Sequence, residues 1–283
     1  MRRFRPLILL LILLGLLLGF YLYTSASVHV ETVSLESHLV GKTLEYSVVL
    51  PPNYRLITSR KKHYPVLYLL HGWNGHPQGW ITETKLTEYA ARHQLIIVLA
   101  EGDNGWYTDS ATVANERYET YILQELIPDV ESRYRALRDR QGRAIAGFSM
   151  GGYGALKFGL KHPDLFIFVA SMSGALDAPA RVDDSSIMHT FGDADTRTRA
   201  DNDLFKIIGN LPADRIIALP YFYMDCGTED PWLKTNRDLD NLFSERRIAH
   251  EYRELPGGHD WKYWDRQVQN VLQVASQRLS PGQ

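Results

Sequence analysis

A doubly wound α/β fold is what this sequence predicts, on three observations. Short apolar runs alternate with longer amphipathic ones, the order of a parallel sheet wrapped by helices. Several strand-like runs, among them "PVLYLLHG" (65–72) and "QLIIVLA" (94–100), are apolar without a break, as strands covered on both faces are. And 283 residues, 45% hydrophobic and 23% charged, supply one domain with enough apolar surface for such a core.

The elements follow in chain order. Residues 1–26, "MRRFRPLILLLILLGLLLGFYLYTSA", set three arginines ahead of an uncharged apolar run, the pattern of an export signal. The positive-inside rule leaves the arginines in the cytoplasm and the rest outside, so an extracytoplasmic protein is expected. Thr24 and Ala26 suit a cleavage site, whereas the length of the run and its flanking tyrosines suit a retained membrane anchor. Residues 27–283 form the α/β domain. Strands are expected at 43–51, 65–72, 94–100, 143–149, 166–174, 220–227 and 249–255. Helices are expected at 77–93, 115–134, 150–161, 232–247 and 260–279. Residues 175–200 show neither period; a segment of that length in a compact domain is either a solvated loop or a wall of a substrate pocket.

Composition removes several functions. A formal charge of −2 provides no basic field for nucleic acid. The single cysteine, Cys226, builds neither an internal disulfide nor a cysteine-rich zinc site, and the ten histidines contain no HExxH, so neither metal nor cofactor is expected.

Chemistry gathers around "RAIAGFSMGGYGALKFGL" (143–160). Gly147-Phe148-Ser149-Met150-Gly151 fits G-x-S-x-G, a strand-to-helix turn so tight that only small residues are tolerated two positions either side of the serine. A serine nucleophile needs a base, and the base an orienting acid, in the chain order Ser, Asp or Glu, His. Of the later histidines, His162 sits at a helix end and His250 within a strand pattern, whereas His259, in "LPGGHD", occupies a loop ahead of a helix and is the candidate base. "YMDCGTEDPWL" offers Asp225, Glu229 and Asp230; Asp230, beyond Gly227, is best placed to cross to the histidine loop. The backbone N–H groups of Met150 and of Trp73, in "LLHGWNGHPQGW", are the candidate oxyanion donors.

Together "LLHGWNG", "GWYTDS", "GFSMGGYGALKFGLKHPDLF", "DCGTEDPWL" and "GGHDWKYW" resemble the esterase D family of the α/β-hydrolases, over most of residues 43–279. S-formylglutathione hydrolases, feruloyl esterases and mycolyltransferases belong to that family. The resemblance implies an α/β-hydrolase fold, a Ser149–His259–Asp230 triad and an oxyanion hole at Trp73 and Met150. It also places "GWYTD" (105–109) beside the cleft, with Trp106 and Tyr107 as candidates for substrate binding or, equally, for packing. "HGWNG" stands where formylglutathione hydrolases carry "SGLTC", which argues against glutathione thioesters. The expected function is a serine carboxylesterase acting on a small-molecule or cell-envelope ester. Membrane contact is limited to residues 1–26 if they are retained, and the number of subunits is open. Acyl transfer to an envelope acceptor, or ligand binding on a hydrolase fold that has lost catalysis, are the alternatives.

Overall fold

The computed structural model describes residues 12–15, 19 and 27–279. The expected export signal or anchor at residues 1–26 therefore lies for the most part outside the described residues. No helix among the described residues is long and apolar enough to cross a membrane.

The described residues hold eight strands: β1 (His29–Ser37), β2 (Lys42–Leu50), β3 (Val66–Leu70), β4 (Ile96–Ala100), β5 (Arg143–Phe148), β6 (Phe168–Met172), β7 (Tyr221–Gly227) and β8 (His250–Leu255). They form one sheet in the order β1-β2-β4-β3-β5-β6-β7-β8. β2 runs antiparallel to β1 and to β4, and every other pairing is parallel. This is the α/β-hydrolase fold the sequence predicts. The apolar runs in β3 and β4 divide between two cores by the period of two. Val66, Tyr68, Leu70, Ile96, Val98 and Ala100 face one core. Leu67, Leu69, Ile97 and Leu99 face the other.

The helices are α1 (Gly79–Thr82), α2 (Leu86–Ala90), α3 (Tyr118–Tyr121), α4 (Ile127–Arg133), α5 (Met150–Lys161), α6 (Ser185–Phe191), α7 (Arg197–Asn202), α8 (Leu204–Asn210), α9 (Ala213–Ile216), α10 (Leu233–Glu245) and α11 (Trp261–Arg278). α3, α4, α5, α6, α8 and α10 contribute to the first core. α1, α2 and α11 contribute to the second.

Two expectations are corrected, and two segments carry elements that the sequence pattern does not show. β1 was not expected, because its apolar residues fall out of step: Val33 and Leu35 turn inward while Val30 is exposed. The helix expected at 77–93 is two, α1 and α2. Thr84 Oγ1 donates to the Trp80 carbonyl and accepts from Leu86 N, while Lys85 N donates to Asp265 Oδ1 on α11. The helix expected at 115–134 starts at Tyr118 and passes between α3 and α4 through a π turn, Ile122–Leu126. That widened turn stands just ahead of Pro128, which has no N–H to return to the preceding turn. Residues 175–200, aperiodic in sequence, carry α6 and the start of α7, capped by the side chains of Asp184 and Thr196.

Candidate active site

The parallel strands end along one edge of the sheet, where open α/β sheets bind ligands. β5 stops at Phe148, and the chain reverses into α5 through Ser149, whose φ of 55° and ψ of −119° lie outside the regions a serine favours. Holding that backbone costs on the order of 1–3 kcal/mol. The end of β6 and the loop after it fix it: Ser149 N donates to the Met172 carbonyl at 3.0 Å, and Ala175 N donates to the Ser149 carbonyl at 3.1 Å. A Cβ on Gly147 would lie 2.5 Å from the Gly151 carbonyl, and one on Gly151 would lie 2.4 Å from the Leu70 carbonyl. Only glycine lets the strand, the turn and β3 meet this closely.

Asp230 and His259 arrive on the loops after β7 and β8. Those strands pair up to Gly227 and Leu255, so their loops leave side by side. The loops touch: Glu229 N donates to the Gly257 carbonyl at 3.0 Å, and a Cβ on Gly227 would lie 2.2 Å from that carbonyl oxygen. The contact brings Asp230 Oδ2 to 2.9 Å from His259 Nδ1, while His259 Nε2 lies 2.9 Å from Ser149 Oγ. A carboxylate only accepts, so the Nδ1 proton is donated to Asp230, and Nε2 is free to accept from the serine hydroxyl. Asp230 Oδ1 accepts from Trp232 N at 2.8 Å, and its side chain is wholly buried. The imidazole stands edge to face against Trp264 at 5.0 Å and Trp232 at 6.4 Å. The other histidines after Ser149 have carboxylate partners elsewhere: His162 with Glu119, His189 with Glu116 and His250 with Asp240.

Ser149 and His259 open into a cleft of about 580 Å³, lined also by Trp73, Trp106, Ala175, Arg181, Asp184, Ser185, Ser186, Pro231 and Trp232. Trp73 follows β3 on a loop braced by buried His71, whose Nε2 is 3.0 Å from Glu101 Oε1. Among the described residues no acceptor takes the backbone N–H of Trp73 or of Met150. Trp106 lines the cleft. Tyr107 does not, which corrects the expectation that it binds substrate. It is fully buried, packed closely against Gly102 and Gly154, and its hydroxyl donates to the His71 carbonyl at 3.1 Å.

Residues 37–273 match the family model described as "Putative esterase". The chain belongs to this esterase family. An acetyl esterase of Caldicellulosiruptor saccharolyticus is 30% identical over 221 residues, 74% of this chain and 82% of that protein. An esterase of Mycobacterium tuberculosis is 31% identical over 258 residues, and there the match spans 79% of this chain and 54% of the relative. The solved structure of a ferulic acid esterase superposes with a TM-score of 0.79 at 29% identity, covering 89% of this chain and all of that one. This chain is accordingly an esterase, acting on ester bonds.

Burial sets the electrostatics around the cleft of this esterase. Asp225, the alternative acid, is fully buried one strand end away; its Oδ1 accepts from Tyr263 at 2.9 Å, and desolvation raises it to about 7. It braces α11 and does not touch His259. On α5, fully buried Lys157 is pulled down to about 8 by desolvation, against the pull of Glu119. Burial pushes the Glu119 carboxyl up, but Lys157, Lys161 and His162 outweigh it and hold it far below its ordinary value.

Several cleft residues of the esterase escaped the sequence reading. Arg181 lies over the rings of Trp232, at 4.5 Å, and Trp106, at 5.7 Å, and with Asp184, Ser185 and Ser186 it makes 175–200 a cleft wall. No periodicity marks that wall. Trp232 carried a usable signal, an aromatic two positions after the acid in "EDPWL".

Proposed function

We propose that the chain is a serine carboxylesterase that works through an acyl-enzyme on Ser149. The observation that carries the reading is the unbroken run from Ser149 Oγ to His259 Nε2 and from His259 Nδ1 to Asp230 Oδ2, each step 2.9 Å. His259 takes the hydroxyl proton at Nε2 as Oγ attacks the ester carbonyl. Asp230 keeps the other ring proton on Nδ1 and stabilises the imidazolium that results. The N–H groups of Trp73 and Met150 receive the tetrahedral oxyanion; one such donor is worth about 2.7–4 kcal/mol. Nε2 returns the proton to the leaving alcohol, and water then attacks the acyl-enzyme by the same steps reversed.

The tryptophans at the cleft supply flat apolar surface, and Ser185, Ser186 and Asp184 supply hydrogen-bonding groups, which suits an ester with an oxygen-rich or aromatic component. An alcohol that intercepted the acyl group in place of water would make the chain a transferase, and product analysis with and without sugar acceptors separates the two. Export remains part of the reading, supported by the basic and apolar start of the sequence. Ser149→Ala tests the core of it: activity on short p-nitrophenyl esters should fall by at least about 10⁴-fold in folded protein. Full activity in that variant would overturn the assignment.

A further inference from the structure

The helix that begins at the nucleophile also holds the opposite wall of the cleft. Lys157 lies on α5 one turn beyond Gly154, on the same face, and is wholly buried. Its ammonium has three donors, and each has a separate acceptor: the Tyr107 carbonyl, Thr108 Oγ1 at 2.8 Å and Glu119 Oε2 at 2.9 Å. An ammonium only donates, so the Thr108 hydroxyl must accept there and turn its own proton elsewhere. It goes to the Trp106 carbonyl, 2.9 Å away. One cation thus fixes two successive carbonyls, Tyr107 directly and Trp106 through Thr108.

These are the residues whose backbone needs fixing. Trp106 and Tyr107 are both left-handed, with φ of 52° and 51°, a conformation bulky side chains avoid. The strained pair turns one ring toward the substrate and the other into the protein. Trp106 lines the cleft and packs on Tyr153 and Phe191. Tyr107 sits against Gly154 and donates its hydroxyl to the carbonyl of His71, two residues ahead of Trp73.

We infer that Lys157 is a positioning residue for the esterase. Through Thr108 and Tyr107 it ties the nucleophile helix to the aromatic wall at Trp106 and to the loop that presents Trp73. The inference rests on the acyl-enzyme reading, because it takes the groups so positioned to be the substrate wall and the oxyanion loop. Glu119 is anchored independently by Lys161 and His162, each at 2.9 Å, so removing Lys157 leaves that carboxylate paired.

Lys157→Met keeps the apolar stem and removes all three donors. In folded protein, kcat/KM on p-nitrophenyl butyrate should fall about 10- to 100-fold, the range a small misplacement of positioning groups produces. Both constants should move, kcat down through the oxyanion loop and KM up through Trp106. Tryptophan emission should also change, and the change should vanish in a Trp106→Phe background. A purely structural role would lower the active fraction while leaving KM and the emission of folded protein at wild-type values, and that result overturns the inference. Should Lys157→Met fail to fold, Thr108→Val breaks the relay to Trp106 alone. It should raise KM by about 3- to 10-fold and change the emission while kcat stays near wild type, and wild-type KM and emission in it would equally overturn the inference. Fluorophosphonate labelling of wild-type Ser149 is the separate check on the acyl-enzyme reading. The emission readout does not depend on catalysis and decides the hold on Trp106 either way.

Discussion

Asp230→Asn is the perturbation that the site geometry specifies most sharply. The Trp232 N–H donates to Oδ1 and obliges an asparagine to present its oxygen there, so its NH₂ must occupy the Oδ2 position facing His259 Nδ1. A donor at that point forces Nδ1 to accept and moves the ring proton to Nε2. Nε2, 2.9 Å from Ser149 Oγ, can then no longer receive the hydroxyl proton. The fold loses little, since size and one hydrogen bond are kept, but the reactive tautomer is lost. Such a change costs about 10⁴-fold in kcat. That corresponds to about 5.5 kcal/mol in the barrier. The assay is initial-rate hydrolysis of p-nitrophenyl acetate at neutral pH, with circular dichroism to verify folding and Asp225→Asn as the comparison. Because Asp225 is bound to Tyr263 rather than to His259, that variant should stay within a few-fold of wild type. Asp230→Asn within tenfold of wild type, or Asp225→Asn falling as far, would refute the reasoning.

Three further outcomes follow from the same contacts. Burial raises the Asp225 carboxyl to about 7, against about 3.9 in the unfolded chain. The folded state therefore binds the extra proton between those values, and this contribution to stability is fully present below about pH 4 and lost as the pH rises toward 7. Urea titrations should show Asp225→Asn gaining on wild type between pH 5 and 7 by up to about 1.4 kcal/mol per pH unit, and a constant difference would contradict this. Gly151→Ala places a Cβ 2.4 Å from the Leu70 carbonyl and 2.7 Å from that of His71. Both obstacles are backbone, so a loss of about 1–3 kcal/mol is expected in thermal or urea unfolding, with impaired turnover in what remains folded. Trp106→Ala should raise KM up to roughly tenfold for esters large enough to reach the ring, and hardly at all for acetate esters, in a panel of graded acyl length.

The sequence made the sheet legible wherever strands are buried on both faces, because β3, β4 and β5 are apolar at nearly every position. β1 was hidden, since an edge strand needs only half a pattern and Val30 breaks even that. The two divided helices depend on partners far along the chain or on a proline's missing donor, as with Asp265 at Lys85 and Pro128 after the π turn. At the site, chain order and loop glycines pointed to Ser149, Asp230 and His259, because G-x-S-x-G and "GGHD" are local patterns. Tyr107 was offered together with Trp106 because the resemblance places the whole "GWYTD" loop beside the cleft, and that placement does not say which of two successive left-handed residues sends its ring inward. Lys157 left a signal that was passed over: a single charge inside "GALKFGL", on a helix buried from Met150 to Leu160, must have a buried partner.

The most direct test of the central claim is the reaction of folded wild-type protein with a fluorophosphonate, followed by peptide mass spectrometry. One adduct on Ser149 is predicted, with labelling and ester hydrolysis lost together in Ser149→Ala and in His259→Ala. Ester hydrolysis that persists with Ser149 unlabelled, or an adduct on another residue, would contradict it.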